Sequence, residues 1–182
     1  MPYEFSKQLF KATSVGGTVV ISNDGTNFTD SKGHRIEFHH DDSLESSLQP
    51  HQAPSGPVSI LFSSKDEKLL VFRNGKLMAE GEADLRMFAA KPQGTYTYIC
   101  DGWTKDDKGE PHPHWHQISG PSGDDQLKAF GHVKTDAKLK HVIDAIIGKG
   151  TTLVLTNVNL TTKLRSDPGF AILRGTLPKS TK

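Results

Sequence analysis

Residues 139–157 read LKHVIDAIIGKGTTLVLTN, and residues 5–23 read FSKQLFKATSVGGTVVISN. A constant offset of 134 positions aligns the two stretches without a gap. In both, apolar residues at helical spacing are followed by glycine, which ends a helix, and then by a run typical of a strand. The repeat predicts two units of one kind. Because the first copy starts at Met1, we expect a remnant of one unit followed by a complete second one.

Composition excludes several classes of protein. The chain has 182 residues and a formal net charge of +1, and its nine histidines are spread along the sequence. No basic face therefore indicates nucleic-acid binding. No apolar run reaches the roughly 18 residues needed to span a bilayer, and Met1–Gly17 does not resemble a signal peptide. The single Cys100 rules out an intramolecular disulfide.

Composition and periodicity divide the chain into four segments. Residues 1–23 form the helix–strand remnant. Residues 24–57 have the polar, Pro/Ser/Gly-rich composition of a linker, with a short strand predicted at His34–His39. Residues 58–175 form the complete unit, and residues 176–182 form a tail. We predict an α+β, mainly β architecture with one well-marked helix near the C-terminus.

The complete unit is predicted to be rich in strands. Asn74-Gly75 is its strongest hairpin signal, since both residues tolerate positive φ. An apolar stripe predicts a helix over Lys134–Ile147. The predicted strands are Val58–Ser63, Leu69–Arg73, Lys76–Gly81, Thr95–Cys100, His114–Ile118, Thr151–Thr156 and Phe170–Leu173.

These residues resemble the catalytic domain of L,D-transpeptidases. The stretch Ile60–Gly75 is similar to the opening hairpin of that family, and Pro92–Tyr96 resembles the Pro-x-Gly-x-aromatic step that follows it. Residues 139–157 resemble the segment that closes the domain. The resemblance covers about two-thirds of the chain. It implies a β-rich fold in which a Ser-His-Gly-Cys-x-Arg signature precedes the closing helix, with the cysteine as acyl acceptor in peptidoglycan cross-linking.

The Ser-His-Gly-Cys-x-Arg signature itself does not occur in residues 1–182. A thiolate nucleophile needs a positioned histidine and a lowered pKa. In the first unit the signature would lie immediately upstream of Met1. In the second unit only the glycine and a basic last residue match, which implies a degenerate copy with no catalytic residue. The six aligned positions are Ala129, Phe130, Gly131, His132, Val133 and Lys134.

The resemblance implies the C-terminal, catalytically inactive part of an L,D-transpeptidase-like protein that remodels peptidoglycan. The chain would be an accessory or binding module with peptidoglycan as its partner and with no cofactor. The alternative is an active cysteine L,D-transpeptidase, acting through Cys100 or through a motif upstream of Met1. An exported upstream half would place the protein in the periplasm or cell envelope, whereas the chain as written would be cytoplasmic. The apolar helix face of residues 1–23 could support self-association.

Two further groups could carry chemistry. Cys100 is the only thiol, but it lies on a predicted strand far from the closing helix, which favours a structural cysteine. His112, His114 and His116 are spaced two apart, so on a strand they would share one face, which could suit Zn²⁺ or Ni²⁺. Prolines at 111 and 113 instead favour a surface loop that leads into a half-buried strand.

The remaining candidates have ordinary interpretations. The cluster His39–Asp42 falls in the predicted linker and is a weaker candidate for metal binding. His132 replaces the family cysteine, and we expect it to hydrogen-bond a backbone group at the start of the helix. Trp103 and Trp115 could line a sugar-binding surface, although packing is the favoured role for both.

Overall fold

A computed structural model describes residues 2–12, 33–49, 53–84, 94–120 and 132–160. Within these ranges the chain forms two helices and ten strands. The elements are α1 (Tyr3–Ala12), β1 (His34–Arg35), β2 (Glu37–His40), β3 (Ser46–Leu48), β4 (Val58–Ser63), β5 (Lys68–Arg73), β6 (Lys76–Asp84), β7 (Thr95–Lys105), β8 (Pro111–Ser119), β9 (His132–Thr135), α2 (Ala137–Ile146) and β10 (Thr152–Thr156).

The ten strands form one curled sheet. Their order is β1-β8-β7-β10-β4-β5-β6-β9-β2, and β3 pairs with β6 beside this path. The pairs β4–β10 and β2–β9 are parallel, and the other pairs are antiparallel. The mainly β architecture predicted from the sequence is confirmed.

One short segment joins the two ends of this sheet. Strands β1 and β2 are separated only by Ile36, yet β1 pairs with β8 at one end of the strand order and β2 with β9 at the other. We call residues 34–40 the closing segment. Ile36 and Phe38 are buried in the core, and the indole Nε1–H of Trp115 donates to the Ile36 carbonyl at 3.2 Å. The closing segment therefore covers sheet edges that would otherwise be open to pairing.

The predicted linker at residues 24–57 is wrong in its middle part. Residues 34–48 supply three strands of the sheet, so the folded unit begins before Val58. Two apolar side chains, Ile36 and Phe38, are enough to fix this polar stretch, because both point into the core while their neighbours face outward. The short strand predicted at His34–His39 is confirmed as β1 and β2, whereas β3 was not predicted.

The other strand predictions agree with the structure in their centres. The Asn74-Gly75 turn has positive φ at both residues, as the hairpin requires. The helix is shorter than predicted, because His132–Thr135 pair as β9 and α2 begins only at Ala137. The strand predicted at Thr18–Ser22, the strand at Phe170–Leu173 and the tail at 176–182 lie outside the described residues.

Strands and α2 enclose one hydrophobic core. Alternate residues of β4, β5, β7 and β10 point inward. Leu139 and Ile143 of α2 belong to the same core, and α2 contacts β2, β3 and β6. The largest fully buried side chains are Trp115, Tyr96, Tyr98, Phe62, Ile36, Ile60, Leu69, Leu70, Leu139, Ile143 and Leu153.

The N-terminus of α2 is tied to the sheet by one carboxylate. Asp136 Oδ2 accepts hydrogen bonds from the backbone N–H groups of Lys138 (3.0 Å) and Leu139 (3.3 Å), which caps the helix. The Ser46 hydroxyl on β3 donates to the same oxygen. The Ser46 hydrogen bond is the main reason why the pKa of Asp136 is lowered. This contact fixes α2 next to β3 and the closing segment.

Helix α1 contributes nothing to this core. None of its residues is buried, and Tyr3, Phe5 and Phe10 are exposed. Neither helix of the described ranges is long and apolar enough to cross a membrane. Self-association through α1 stays a prediction.

We predict that Trp115→Phe destabilises the chain far more than Trp103→Phe. The first change leaves the buried Ile36 carbonyl without its donor and leaves a void, and we expect it to lower the free energy of unfolding by about 2–3 kcal/mol. Trp103 is 48% exposed, so its replacement is expected to cost less than about 0.5 kcal/mol. Urea unfolding of both variants measures the difference, and equal midpoints would contradict the role of Trp115 in closure.

Candidate functional site

A cavity of about 440 Å³ opens beside the closing segment. It lies between that segment, the β7–β8 hairpin and α2. Its walls bring charged, imidazole and aromatic groups together in one place. The polar and aromatic side chains that define it are Arg35, Glu37, His39, Trp103, His112 and Lys140.

Arg35 fixes one wall of the cavity. Its guanidinium lies 2.7 Å from Glu37 Oε1 and 3.3 Å from Asp106 Oδ2. Asp106 in turn accepts backbone hydrogen bonds from Lys108 and Glu110, both at 2.9 Å, at the tip of the β7–β8 hairpin. The hydrogen bond to Glu37 raises the pKa of Arg35, so the group stays positively charged. The Arg35 side chain therefore links the closing segment to the tip of the β7–β8 hairpin.

The opposite wall belongs to α2 and is also charged. Lys140 pairs with Asp144 one helical turn on, an arrangement typical of a solvated helix face. Both residues line the cavity, as does Trp103, whose side chain is half exposed. The cavity thus combines an aromatic side chain with positive and negative groups.

Glu37, His39 and His132 form a compact cluster at the cavity. His39 Nε2 lies 2.7 Å from His132 Nδ1, and Glu37 Oε2 lies 3.7 Å and 3.8 Å from these two nitrogens. The two ring centroids are 4.8 Å apart. Burial and then the neighbouring His132 lower the pKa of His39, which favours the neutral imidazole. Neutral imidazole nitrogens facing a carboxylate oxygen are potential metal ligands.

Asp101, His114 and His116 form a second cluster with different geometry. Asp101 Oδ1 accepts from His114 Nδ1 at 2.9 Å, and Oδ2 accepts from His116 Nε2 at 2.8 Å. Although burial alone would raise the pKa of Asp101, these two hydrogen bonds lower it. Each carboxylate oxygen therefore has its own imidazole donor, and the cluster is a complete hydrogen-bond network.

A β-bulge creates this second cluster. The pairing of β7 with β8 shifts between Cys100 and Gly102, so Asp101 is an extra residue that turns toward the histidines. On the other side, Gly33 lies so close to His114 that an added Cβ would fall 1.8 Å from His114 Nε2. A larger residue at this position, immediately before the closing segment, would therefore require the His114 ring to move.

Of His112, His114 and His116, the structure brings two together. His114 and His116 meet at Asp101, whereas His112 Nε2 contacts Thr104 Oγ1 at 3.2 Å and lines the cavity. The predicted loop is part of β8. The strand tolerates Pro111 and Pro113 because, among the described residues, this part of β8 pairs only with β7 and has no strand on its other side. Sequence analysis did not identify Asp101 as the partner of these histidines, because a β-bulge cannot be recognised in a periodic pattern of residues.

The positions aligned with the transpeptidase signature are only partly described. Ala129, Phe130 and Gly131 lie outside the described residues. Val133 is buried, and Lys134 Nζ lies 3.7 Å from Asp41 Oδ2. The expected backbone hydrogen bond of His132 is replaced by the contact with His39, because parallel pairing of β2 with β9 brings both rings to the same face.

The cluster His39–Asp42 separates in the structure. His39 lies at the cavity, whereas Asp41 accepts hydrogen bonds from the Ser43 backbone N–H (3.1 Å) and hydroxyl (2.6 Å) in a turn. The Ser43 hydroxyl is the main cause of the lowered pKa of Asp41. The predicted roles of the tryptophans also separate, since Trp115 is fully buried and Trp103 lines the cavity.

Cys100 is fully buried, as predicted for a structural cysteine. Its Sγ donates to the Gly102 carbonyl at 3.3 Å, and burial raises the pKa of the thiol. A buried thiol with a raised pKa is a poor nucleophile, because the thiolate is the reactive species.

We predict that Cys100 is protected from alkylation. In the folded chain at pH 8, iodoacetamide should modify it at least roughly tenfold more slowly than in urea, because burial disfavours the thiolate. Mass spectrometry over time measures both rates, with a small-molecule thiol in urea as the control for the reagent. Equal rates in the folded and unfolded chain would contradict the burial of Cys100.

We predict that Asp101→Asn destabilises the chain at neutral pH and that the effect fades in acid. The amide oxygen can accept from only one imidazole, so the free energy of unfolding should fall by about 1 kcal/mol. Because the carboxyl has a pKa below its ordinary value of 3.8 when folded, its stabilisation is present above that value and is lost as pH falls through the folded-state pKa.

Denaturant unfolding at pH 7 and at pH 3 measures this difference. The same substitution at the exposed Asp107 is the matched control and should leave the free energy of unfolding within about 0.5 kcal/mol of wild type. A gap between wild type and Asp101→Asn that persists unchanged at pH 3 would contradict the assignment.

Comparison of the chain with family models, curated proteins and solved structures gives no significant match. The resemblance to L,D-transpeptidases therefore depends on the quoted residues, and the cavity and its two neighbouring clusters provide the structural basis for a function.

Proposed function

We propose that this chain is a non-catalytic accessory module of an L,D-transpeptidase-like protein, and that its cavity binds peptidoglycan. The observation that carries the proposal is that the half-exposed side chain of Trp103 lines an open cavity together with Arg35, Glu37, Lys140 and Asp144. The single thiol of the same chain is buried and unsuited to nucleophilic attack.

The chemistry of the cavity suits a glycan that carries short peptides. An exposed indole offers a flat apolar face on which a sugar ring can stack, with polar groups around it. The Arg35 and Lys140 cations can bind stem-peptide carboxylates, and Glu37 and Asp144 can accept hydrogen bonds from sugar hydroxyls. The cavity volume lies within the usual range of about 300–1,000 Å³ for small-molecule sites.

The fold supports the proposed relationship in one respect. The predicted opening hairpin corresponds to β4 and β5, and the predicted closing segment corresponds to α2 and β10. Although these stretches are far apart in sequence, β10 pairs directly with β4 over five residues, from Thr152–Ser59 to Thr156–Ser63. The two stretches that carry the resemblance therefore form one continuous part of the sheet.

Absence of catalysis is proposed from the residues aligned with the family signature. The position of the family cysteine is His132, which has no nucleophilic sulfur. Cys100 lies on β7 with its Sγ directed to the Gly102 carbonyl. An acyl-transfer step needs an accessible thiolate beside a base, and Cys100 does not provide one.

We predict that the chain binds purified peptidoglycan and that Trp103→Ala weakens this binding. Loss of the stacking face should raise Kd about tenfold, equivalent to ~1.4 kcal/mol. Co-sedimentation with purified sacculi, followed by titration with soluble fragments, measures the effect. Phe10→Ala is the matched control, because Phe10 is an exposed aromatic residue on α1, away from the residues that line the cavity.

Two outcomes would overturn the proposal. Failure of the wild-type chain to sediment with sacculi would remove the binding role, and equal binding by Trp103→Ala would remove the cavity as the binding site. Acyl transfer to a peptidoglycan tetrapeptide substrate by the purified chain, lost in Cys100→Ser, would instead establish an active cysteine enzyme.

A further inference from the structure

We propose that Glu37, His39 and His132 form a binding site for a divalent transition metal ion, with Zn²⁺ as the best-fitting ion. The three potential ligand atoms are Glu37 Oε2, His39 Nε2 and His132 Nδ1. They converge on one point beside the cavity, and two of the three residues line it.

The distances between these atoms fit a common ion. Ligands of a tetrahedral Zn²⁺, at about 2.0–2.1 Å from the metal, lie about 3.3 Å apart. The observed separations of 2.7, 3.7 and 3.8 Å lie on both sides of that value. Small rotations of the two imidazole rings, each about half exposed, are sufficient to equalise them. The 2.7 Å contact between His39 Nε2 and His132 Nδ1 requires one proton shared by the two nitrogens. A metal ion bound between the rings would take the place of that proton.

Backbone pairing holds the three residues in place. Strands β2 and β9 are parallel, with Glu37 beside His132 and His39 beside Lys134. Residues two apart on a strand face the same side, so Glu37 and His39 flank the ring of His132. A site on paired strands is more precisely positioned than one on a loop.

Arg35 orients the carboxylate. Its guanidinium binds Glu37 Oε1, which leaves Oε2 directed toward the two imidazoles. Hydrogen bonding of the second oxygen of a ligand carboxylate is a common feature of metal sites, because it fixes the orientation of the ligand. The same arginine is anchored to Asp106, so the support extends to the β7–β8 hairpin.

The donor set selects the class of metal. Two imidazole nitrogens and one carboxylate oxygen suit Zn²⁺ and neighbouring transition metals, whereas Mg²⁺ and Ca²⁺ prefer oxygen ligands. Three protein ligands leave at least one coordination position open, as in zinc sites that bind a water or a ligand. Because Glu37 and His39 line the cavity, the open position would face it.

The cluster of Asp101, His114 and His116 serves as a control for the proposed metal site. In that cluster Asp101 lies between the rings of His114 and His116, and each of its oxygens already accepts one N–H. The nitrogens therefore point at separate oxygens and carry protons, instead of presenting lone pairs to a shared point. Its residues have the same chemical types as the proposed site and also lie within 4.8 Å of one another, but each imidazole nitrogen already has a carboxylate oxygen as its hydrogen-bond partner.

The test uses Zn²⁺ alone, so it does not depend on peptidoglycan binding. The full chain without a histidine tag is treated with a chelator, desalted and titrated with Zn²⁺ by calorimetry. We expect one site with a micromolar or lower Kd, and a Kd at least tenfold higher in His39→Ala and in His132→Ala. The matched controls His112→Ala and His114→Ala should bind as wild type does.

A second measurement reports the ligands directly. Co²⁺ in place of Zn²⁺ should give visible absorption whose intensity indicates four-coordination, and the spectrum should change in Glu37→Gln. This variant keeps the size of the side chain while removing its charge. Circular dichroism checks that each variant is folded, which we expect because His39 and His132 are surface residues.

Three results would overturn the metal site. These are no Zn²⁺ binding above that of a histidine-free reference protein at micromolar concentration, unchanged binding in both His39→Ala and His132→Ala, or loss of binding in His114→Ala alone. The last result would assign the metal to the Asp101 cluster. None of them would bear on sacculus binding, which is measured separately with Trp103→Ala.

Discussion

Closure of the sheet by residues 34–40 is the constraint on which the rest of the structure depends. A seven-residue segment pairs with β8 through its first two residues and with β9 through its last four. Between them, the Ile36 side chain enters the core and its carbonyl accepts from Trp115. A buried carbonyl must have a donor, since an unpaired one costs about 1–3 kcal/mol. The indole thus fixes the position at which the segment crosses the core.

The functional surfaces follow from this closure. Once Ile36 and Phe38 point inward, the alternation of a strand directs Arg35, Glu37 and His39 to the other face. These three residues form one wall of the cavity and reach the hairpin tip and β9. The charged wall is therefore a geometric consequence of burying two apolar side chains.

Sequence reasoning found the elements that have strong local signals. The runs at Val58–Ser63 and Thr151–Thr156 are continuous enough to be read as buried strands, and Asn74-Gly75 defines its own turn. In the closing segment the alternation of apolar and polar residues predicted a strand at His34–His39. Its pairing partners could not be predicted, because they lie about 80 and 95 residues away in sequence.

The same limit applied to the side chains of the site. Spacing placed His114 and His116 on one face but could not supply Asp101, because a bulge changes the register by one residue. His39 and His132 seemed unrelated in sequence, and their contact depends entirely on the parallel pairing of β2 with β9. The sequence identified single candidate residues, whereas their contact partners became known only from the pairing of the strands.

The two proposals meet at His132. If the chain derives from an L,D-transpeptidase, this position held the nucleophile, next to the N-terminus of a helix and at the edge of a substrate-binding surface. Replacing cysteine with histidine removes acyl transfer but keeps a metal-binding donor at the same place. The parallel strand supplies His39 and Glu37 within 4 Å of it, and Arg35 supplies the support that an isolated histidine would lack. A domain that had lost its chemistry would in this way retain a defined surface, with a positive centre suited to the carboxylates of a peptide stem. Binding would then need no covalent step.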